Sequence, residues 1–399
     1  MRSRERFSAG ARAVCLLFLC LSLLLSVAGC GKGSAGDLVE QAPERRAALS
    51  EALTYDHTLK LEYAKDVAVD CYDDGSALIS VSDDRQYLVL SKDTPAPDDL
   101  PDGITVMHAP VSDVYLAGTA SMDFFDSCGA IDCVRFSSQK ADAWRIPDAV
   151  AAMEAGDMLY AGKYSAPDYE LLTKEDCGLA VENTMISHSP TVIEKLEELG
   201  IPVFVDGASK EQTPQARMEW VKVYGILTGR EKEAEAAFRE QEQEFLKLEQ
   251  KEEQTGNAPV VAFFSVRSNE TVTVRRATDY IPYMIELAGG RYAFPDLGKE
   301  DADSNRSTET ISMEEFYTTA RDADYFIFNS TIEGERSSIA QLLKDAPVLA
   351  DCKAVRDGRV YCTTADLYQH SMSQGIFVRD LYEMLQGNEA DMTYLFPLD

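Results

Sequence analysis

Glu231-Lys-Glu-Ala-Glu-Ala-Ala-Phe-Arg-Glu-Gln-Glu-Gln-Glu-Phe-Leu-Lys-Leu-Glu249 is the stretch around which the rest of the chain is organised. It contains no Pro or Gly, and strong helix formers fill it. Its apolar residues, Ala234, Phe238, Phe245 and Leu248, make a sparse stripe. A helix with so narrow a stripe packs along one side and is otherwise solvated. Read from Arg230 to Gln254, it spans about 35 Å at 1.5 Å per residue. It divides the chain into two parts.

Upstream, Asp66-Val-Ala-Val-Asp-Cys-Tyr72, Ala77-Leu-Ile-Ser-Val81 and Gln86-Tyr-Leu-Val-Leu90 are separated by Asp73-Asp74-Gly75 and Asp83-Asp84, which predicts strands with hairpin turns. Past a Pro-rich loop at 94–102, short apolar runs at 114–117, 133–136, 158–160, 179–181 and 202–205 alternate with helical stretches. Pro147, Ser165 ahead of Pro167-Asp168, Ser189-Pro190 and Thr213-Pro214 supply helix starts, because proline at a first helical turn forgoes an N–H that would be unpaired anyway. After Gly256 the pattern restarts, with runs at 259–265, 271–274, 325–328 and 359–362. Helices are expected at 280–288, from Ser312 onward, and near 376–386. Repeated strand-helix units mean a parallel sheet between helices. The fold class is therefore α/β: two lobes, each with a mainly parallel sheet flanked by helices, joined by one long helix.

The 399 residues, 45% hydrophobic and 27% charged, are those of an ordered globular chain. With 68 acidic against 38 basic residues the formal net charge is −30, which argues against nucleic acid as a partner. Arg2, Arg4, Arg6 and Arg12 precede an apolar run at 13–28, the layout of a secretory signal. Removing residues 1–29 takes four Arg and one Glu and leaves a net of −33. The expected segments are a signal at 1–29, a tether and leading segment at 30–60, a first lobe at 61–229, the connecting helix at 230–254 and a second lobe at 255–399. Six cysteines remain beyond Cys30, and an even number in an exported protein permits disulfides. Cys128 with Cys133 and Cys352 with Cys362 are close enough to pair, and free buried thiols are equally compatible. Their spacing is not that of a structural zinc site. The chain has no His-Glu-x-x-His, Gly-x-Ser-x-Gly, Gly-x-x-x-x-Gly-Lys or dinucleotide glycine triplet, so enzymatic readings find no support. With only four histidines, a site for bare zinc or manganese is disfavoured as well.

Val27-Ala28-Gly29-Cys30 resembles a bacterial lipobox, which implies cleavage before Cys30, lipidation of its sulfur and a flexible tether at 31–37. The mature chain from about Leu61 to Leu385 resembles the substrate-binding lipoproteins of ABC importers. The resemblance is to the group with a rigid connecting helix that binds iron-siderophores, haem or cobalamin. The resemblance is carried by Leu61-Glu-Tyr-Ala-Lys, Pro167-Asp-Tyr-Glu170, Leu196-Glu-Glu-Leu-Gly-Ile-Pro202, Ala216-Arg-Met-Glu-Trp-Val-Lys222, Asp279-Tyr-Ile-Pro-Tyr-Met-Ile-Glu-Leu-Ala-Gly-Gly290, Ala323-Asp-Tyr-Phe-Ile-Phe328 and Lys353-Ala-Val-Arg-Asp-Gly-Arg-Val-Tyr361. Gln215 and Ala216 depart from the group, which usually has proline and glycine there. The resemblance implies a monomeric extracytoplasmic receptor, held to the membrane by its lipid alone. It would carry no resident cofactor, take an iron complex (siderophore or haem) as ligand, and partner an ABC permease with its ATPase. Cobalamin is the alternative ligand, and a surface-tethered metal-dependent enzyme on a two-lobed fold the alternative of another class. The resemblance also implies one permease-docking glutamate on each lobe. Glu170 matches the first, and Glu314 the second in preference to Glu315, because Ser312-x-x-Glu315 also reads as a capping box.

In such a fold the ligand lies where loops leave the carboxyl ends of the strands. The candidates in the first lobe are residues 119–122 including Met122, a soft ligand for haem iron, then Lys163, Tyr164 and His188. In the second lobe they are Arg267, Arg275, Arg276, Tyr283, Tyr368, Gln369 and His370. Guanidinium forks suit carboxylate, catecholate or propionate groups. Arg275 and Arg276 are adjacent at a strand end, where successive side chains face opposite ways, so at most one of them faces the cleft.

Overall fold

The computed structural model describes residues 49–249, 258–267, 269–301 and 306–399. The secretory signal, the lipobox and Cys30 lie outside the described residues, as does the end of the long helix beyond residue 249.

Strands β1 (Tyr55–Thr58), β2 (Val67–Tyr72), β3 (Ala77–Val81), β4 (Gln86–Ser91) and β5 (Ile104–Ala109) form a sheet in chain order, antiparallel except for the β4/β5 pair. Gly75 at φ 83° and Asp84 at φ 69° supply the left-handed backbone of its two tight turns. The predicted hairpins are thus the centre of a separate five-stranded sheet. Residues 61–65 are irregular and are held by carboxylates. Glu219 accepts from the backbone N–H of Glu62, Tyr63 and Ala64 at 2.7–2.8 Å, and Glu211 from those of Lys65 and Asp66.

The first lobe adds β6 (Val114–Leu116), β7 (Val134–Ser137), β8 (Leu159–Tyr160), a two-stranded hairpin β9 (Gly162–Lys163) and β10 (Ala166–Pro167), then β11 (Leu179–Asn183) and β12 (Val203–Asp206). Its main sheet runs β12-β11-β6-β7-β8, parallel throughout. The second lobe contains β13 (Val260–Val266), β14 (Thr271–Arg275), β15 (Arg291–Tyr292), β16 (Thr308–Ser312), β17 (Tyr325–Phe328), β18 (Val360–Thr363) and β19 (Leu395–Pro397), ordered β16-β14-β13-β17-β18-β19 with β15 beside β13. β13, β15, β17 and β18 are parallel, whereas β14, β16 and β19 run antiparallel to their neighbours. Helices cover both faces of these sheets, which is why β17 and β18 are apolar and buried along their length.

The connecting helix, Glu231–Glu249, buries Ala234, Phe238 and Phe245 and partly buries Leu248, the stripe expected of it. It lies against the first-lobe helix Val221–Thr228 and the second-lobe helix Gln374–Gln386. Two glycines permit this approach. A Cβ on Gly225 would stand 2.7 Å from the Ala234 Cβ, and one on Gly375 would stand 2.8 Å from the Glu244 Cβ and 3.1 Å from the Phe245 ring. All six described cysteines are free, and four are buried. Burial pushes the Cys128 thiol up to about 12 and the Cys352 and Cys362 thiols to about 11. Neither of the two short-range disulfides that the spacing permits is formed.

Gly375→Val drives side-chain atoms into the connecting helix where its neighbours cannot step aside. Overpacking of this kind costs about 1–3 kcal/mol. The variant is expected to show a lower urea midpoint than the wild type, whereas the same change at Gly358, with open space around its Cβ position and φ 67°, tests backbone strain alone. Equal losses at the two positions would refute close helix approach as the cause.

Candidate functional site

The carboxyl ends of the first-lobe strands carry small and polar residues. β6 runs into Gly118-Thr-Ala-Ser121, β11 ends in Asn183, and β12 runs into Asp206-Gly-Ala-Ser209. A cavity of about 70 Å³ lies there, lined by Ser121, Asn183, Asp206, Ser209 and Arg217 of the first lobe and by Ser371 and Gln374 of the second. Asp206 holds the first-lobe wall in shape. One of its oxygens accepts from Ser121 Oγ at 2.7 Å and Tyr224 Oη at 2.5 Å, and the other from the Ala208 N–H at 2.6 Å. Burial raises its pKa, and these three hydrogen bonds oppose the rise.

Arg217 supplies the cation of the wall. Its Nε donates to the Glu211 carbonyl at 2.8 Å and a terminal nitrogen donates to the Ser209 carbonyl at 2.5 Å. Its guanidinium carbon sits 3.7 Å from the ring centroid of Tyr280, a cation–π contact between the lobes. Arg275 of the second lobe lies close enough to repel it. Arg275 is itself anchored by the Tyr368 hydroxyl and by Asp279 at 3.6 Å. Burial lowers the Arg217 pKa and Arg275 adds to this, while Tyr280, Asp279 and Glu211 oppose it. Two guanidinium groups from opposite lobes therefore meet at the joint.

A strap at 366–373, following β18, crosses to the first lobe. Gln369 accepts from the Arg145 N–H at 2.8 Å and donates to the Ala143 carbonyl at 2.8 Å. Ser371 Oγ donates to the Ala120 carbonyl at 2.8 Å, and the Met372 N–H donates to Asp123 at 2.6 Å. His370 Nε2 lies 3.4 Å from Asp366, with Asp123 and Asp126 of the first lobe also bearing on it. The Asp366 hydrogen bond raises the His370 pKa, with burial opposing it, and in turn pulls Asp366 down to about 2. Burial pushes Asp123 up to about 6.

These placements sort the residues proposed from sequence. Arg275, Tyr368, Gln369 and His370 come together at the joint, all four already engaged by protein groups. Met122 is not available to a ligand, because its side chain is fully buried in the core. Arg276 turns away from the cleft, as its adjacency to Arg275 requires. It is buried, donates to the Gly298 and Asp301 carbonyls and pairs with Glu309 at 3.3 Å. Lys163 and His188 are exposed, on β9 and at the end of the 3₁₀ turn Thr184–His188. Tyr164 packs half-buried against the first-lobe core. Arg267 is exposed with its Nε on Thr273 Oγ1 at 2.8 Å, and Tyr283 is exposed on the helix Tyr280–Leu287. Sequence reasoning missed Arg217 and Gln374 as wall residues. Arg217 was visible only as part of a helix, and nothing local marks the face that Gln374 presents.

The model of the periplasmic binding protein family matches residues 180–367. An uncharacterized lipoprotein of Methanocaldococcus jannaschii is 24% identical over 340 residues, 77% of each chain. Among solved structures, the periplasmic haem-binding protein HutB of Vibrio cholerae superposes with a TM-score of 0.55 at 16% identity, over 68% of this chain and 99% of that one. A possible iron-binding solute-binding protein of Staphylococcus epidermidis superposes with a TM-score of 0.52 at 16% identity, over 68% and 97%. The likeness to these solved structures shows the two-lobed fold.

The joint titrates. Protonated His370 stabilises it below pH 6.5, and that contribution is lost as pH rises through its raised folded pKa. Buried Asp123, raised to about 6, takes up a proton on folding, so its effect runs in the same direction. Depressed Asp366 contributes above its ordinary carboxylate range and fails only toward pH 2. Unfolding midpoints of the wild type are expected to fall between pH 6 and pH 8.5, and His370→Gln to remove a part worth roughly 1 kcal/mol. An unchanged pH profile in the variant would show that His370 bears no load at the joint.

Proposed function

We propose that this chain, a two-lobed binding protein whose residues 180–367 match the periplasmic binding protein family, is a lipid-anchored extracytoplasmic receptor. It captures an iron complex and delivers it to an ABC permease driven by an ATPase. The observation that carries the reading is the joint itself. Strand ends of the first lobe and the strap and last helix of the second converge on one cleft, a single helix spans both lobes, and Arg217 brings positive charge there in a chain of net charge −30. An anionic chelate suits a guanidinium placed in this way. The iron-binding and haem-binding proteins that share the fold support the same ligand class. The lipoprotein relative supports anchoring through Cys30.

Glu170 and Glu314 are the docking residues of this reading. Both are exposed, in the first turns of the helices Tyr169–Lys174 and Met313–Ala320. Ser312 Oγ accepts from the Glu315 N–H at 3.1 Å, half of the expected capping box, which leaves Glu314 for the partner.

Replacing Glu170 and Glu314 together by Arg is expected to cut uptake of ferric complexes into cells at least about tenfold, since interface charge pairs couple at ~1.5 kcal/mol or more. Ligand affinity, followed by quenching of the buried Trp144 and Trp220, should not change. Loss of binding in that variant would contradict separate docking and capture surfaces. Cys30→Ser should release the protein from membranes or leave it uncleaved, and a cleaved variant that still floats with membranes would remove the lipid anchor from the reading.

A further inference from the structure

The lobes are joined twice. The connecting helix links them through the core, and the strap at 366–373 links them directly at the strand ends. The strap leaves the carboxyl end of β18 and leads into the helix Gln374–Gln386, so it belongs to the second lobe. Tyr368 fixes it there through its hydroxyl on Arg275. Its other bonds cross over. Gln369 holds both sides of Trp144, accepting from the Arg145 N–H and donating to the Ala143 carbonyl, each at 2.8 Å. Ser371 Oγ donates to the Ala120 carbonyl at 2.8 Å, and the Met372 N–H donates to Asp123 at 2.6 Å. Ala120 and Asp123 follow β6 and residues 143–145 follow β7, two neighbouring parallel strands. The strap is thus bonded across the strand ends at which a solute enters an α/β cleft.

Behind the strap the closed arrangement is incompletely satisfied. Gln215, Gln241 and Gln374 each have their side-chain Oε1 buried with no partner among the described residues. They lie on three helices that pack on one another: Pro214–Glu219 of the first lobe, the connecting helix, and Gln374–Gln386 of the second lobe. A buried acceptor without a donor is costly, whereas one that reaches water is not. Parting the first of these helices from the last relieves that cost. The cross-lobe bonds of the strap therefore hold shut what these carbonyls favour opening.

We propose that the strap at 366–373 is a clasp, which holds the lobes of the empty receptor shut across the cleft and must release the first lobe as one unit before a solute enters. The role in capture rests on the reading of the chain as a solute receptor, while the clasp itself is a property of the empty chain. Only the fraction of molecules with the clasp open competes for solute, and the apparent affinity is the intrinsic one scaled by that fraction. Because the connecting helix packs on both lobes, release opens a small gap rather than a wide swing.

The test uses the purified mature chain, first without any solute. Amide hydrogen exchange at Arg145 and Met372, whose N–H groups make two of the cross-lobe bonds, reads the opening. Ser371→Ala removes a bond that neither reporter makes, and Gln369→Ala removes bonds that Met372 does not make. Ser371→Ala should speed exchange at both reporters, and Gln369→Ala should speed it at Met372, by at least about threefold, while the amides of β11 exchange as in the wild type. Acceleration confined to the amide whose own partner was removed overturns the clasp. Equal acceleration in β11 reveals general destabilisation and overturns it as well. Binding then supplies a sign. Haem, ferrioxamine B and cyanocobalamin are each titrated into the wild type and both variants, followed by quenching of Trp144 and Trp220. Any probe that binds should associate at least about threefold faster with the variants and bind them more tightly, because the closed empty state no longer competes. Weaker binding would make Gln369 and Ser371 ordinary solute contacts and overturn the clasp. Silence of all three chains toward every probe overturns the reading as a receptor for these complexes, and the exchange rates alone then decide the clasp.

Discussion

The connecting helix approaches the first lobe at Gly225 and the second at Gly375 more closely than any side chain at those positions allows. Everything at the joint depends on that double approach. Phe238 and Phe245, seven residues apart on one face of the helix, are both buried, so the helix shares a continuous apolar core with both lobes. Lys222 reinforces the first-lobe contact. Its ammonium lies 4.6 Å from the Phe238 ring centroid and 3.1 Å from both Glu219 and Glu235. A helix packed against both bodies limits how far they can part, because opening would expose apolar surface on one side of it.

Buried carboxylates do much of the remaining positioning. Glu219 and Glu211 act as caps for a stretch of backbone that belongs to no sheet, and Glu211 also accepts from Trp220 Nε1 at 3.1 Å. Burial pushes Glu211 up to about 7, against the hydrogen bonds that favour its charge. Asp206 does the same for the cleft wall, tying Ser121, Tyr224 and Ala208 together. Glu182 differs. It is fully buried on β11 with neither oxygen bonded among the described residues, and burial alone pushes its pKa up to about 8.

The surplus of acid gives the partly buried cations their meaning. Arg239 reaches Glu62, Glu235 and Glu242 at 2.7–2.9 Å and is satisfied three times over along the connecting helix. Arg217 is bonded to two carbonyls and a ring and has no salt-bridged carboxylate among the described residues. In a chain where acid is plentiful, a guanidinium left without one at the base of a cleft is the feature that an anionic solute complements.

The sequence by itself determined the lobes and the helix between them. Hydrophobic period is a local property: a four-residue apolar run such as residues 325–328 reads as a buried strand wherever it sits, and residues 231–249 read as a one-sided helix from their own spacing. Proline and hydroxyl caps marked the starts of the helices Pro190–Glu198 and Pro214–Glu219 for the same reason. Even the exclusion of one of Arg275 and Arg276 from the cleft followed from strand alternation. Only the tertiary structure decided which of the two it was, placed Gln374 opposite Ser121, and turned Gln369 and Ser371 toward the first lobe. Those outcomes depend on how two bodies more than a hundred residues apart are set against one another, and no local spacing records the angle at which one helix brings them together. The six free thiols were undecided for a related reason. Closeness in sequence allows Cys352 and Cys362 to pair, but both are buried in the core as free thiols.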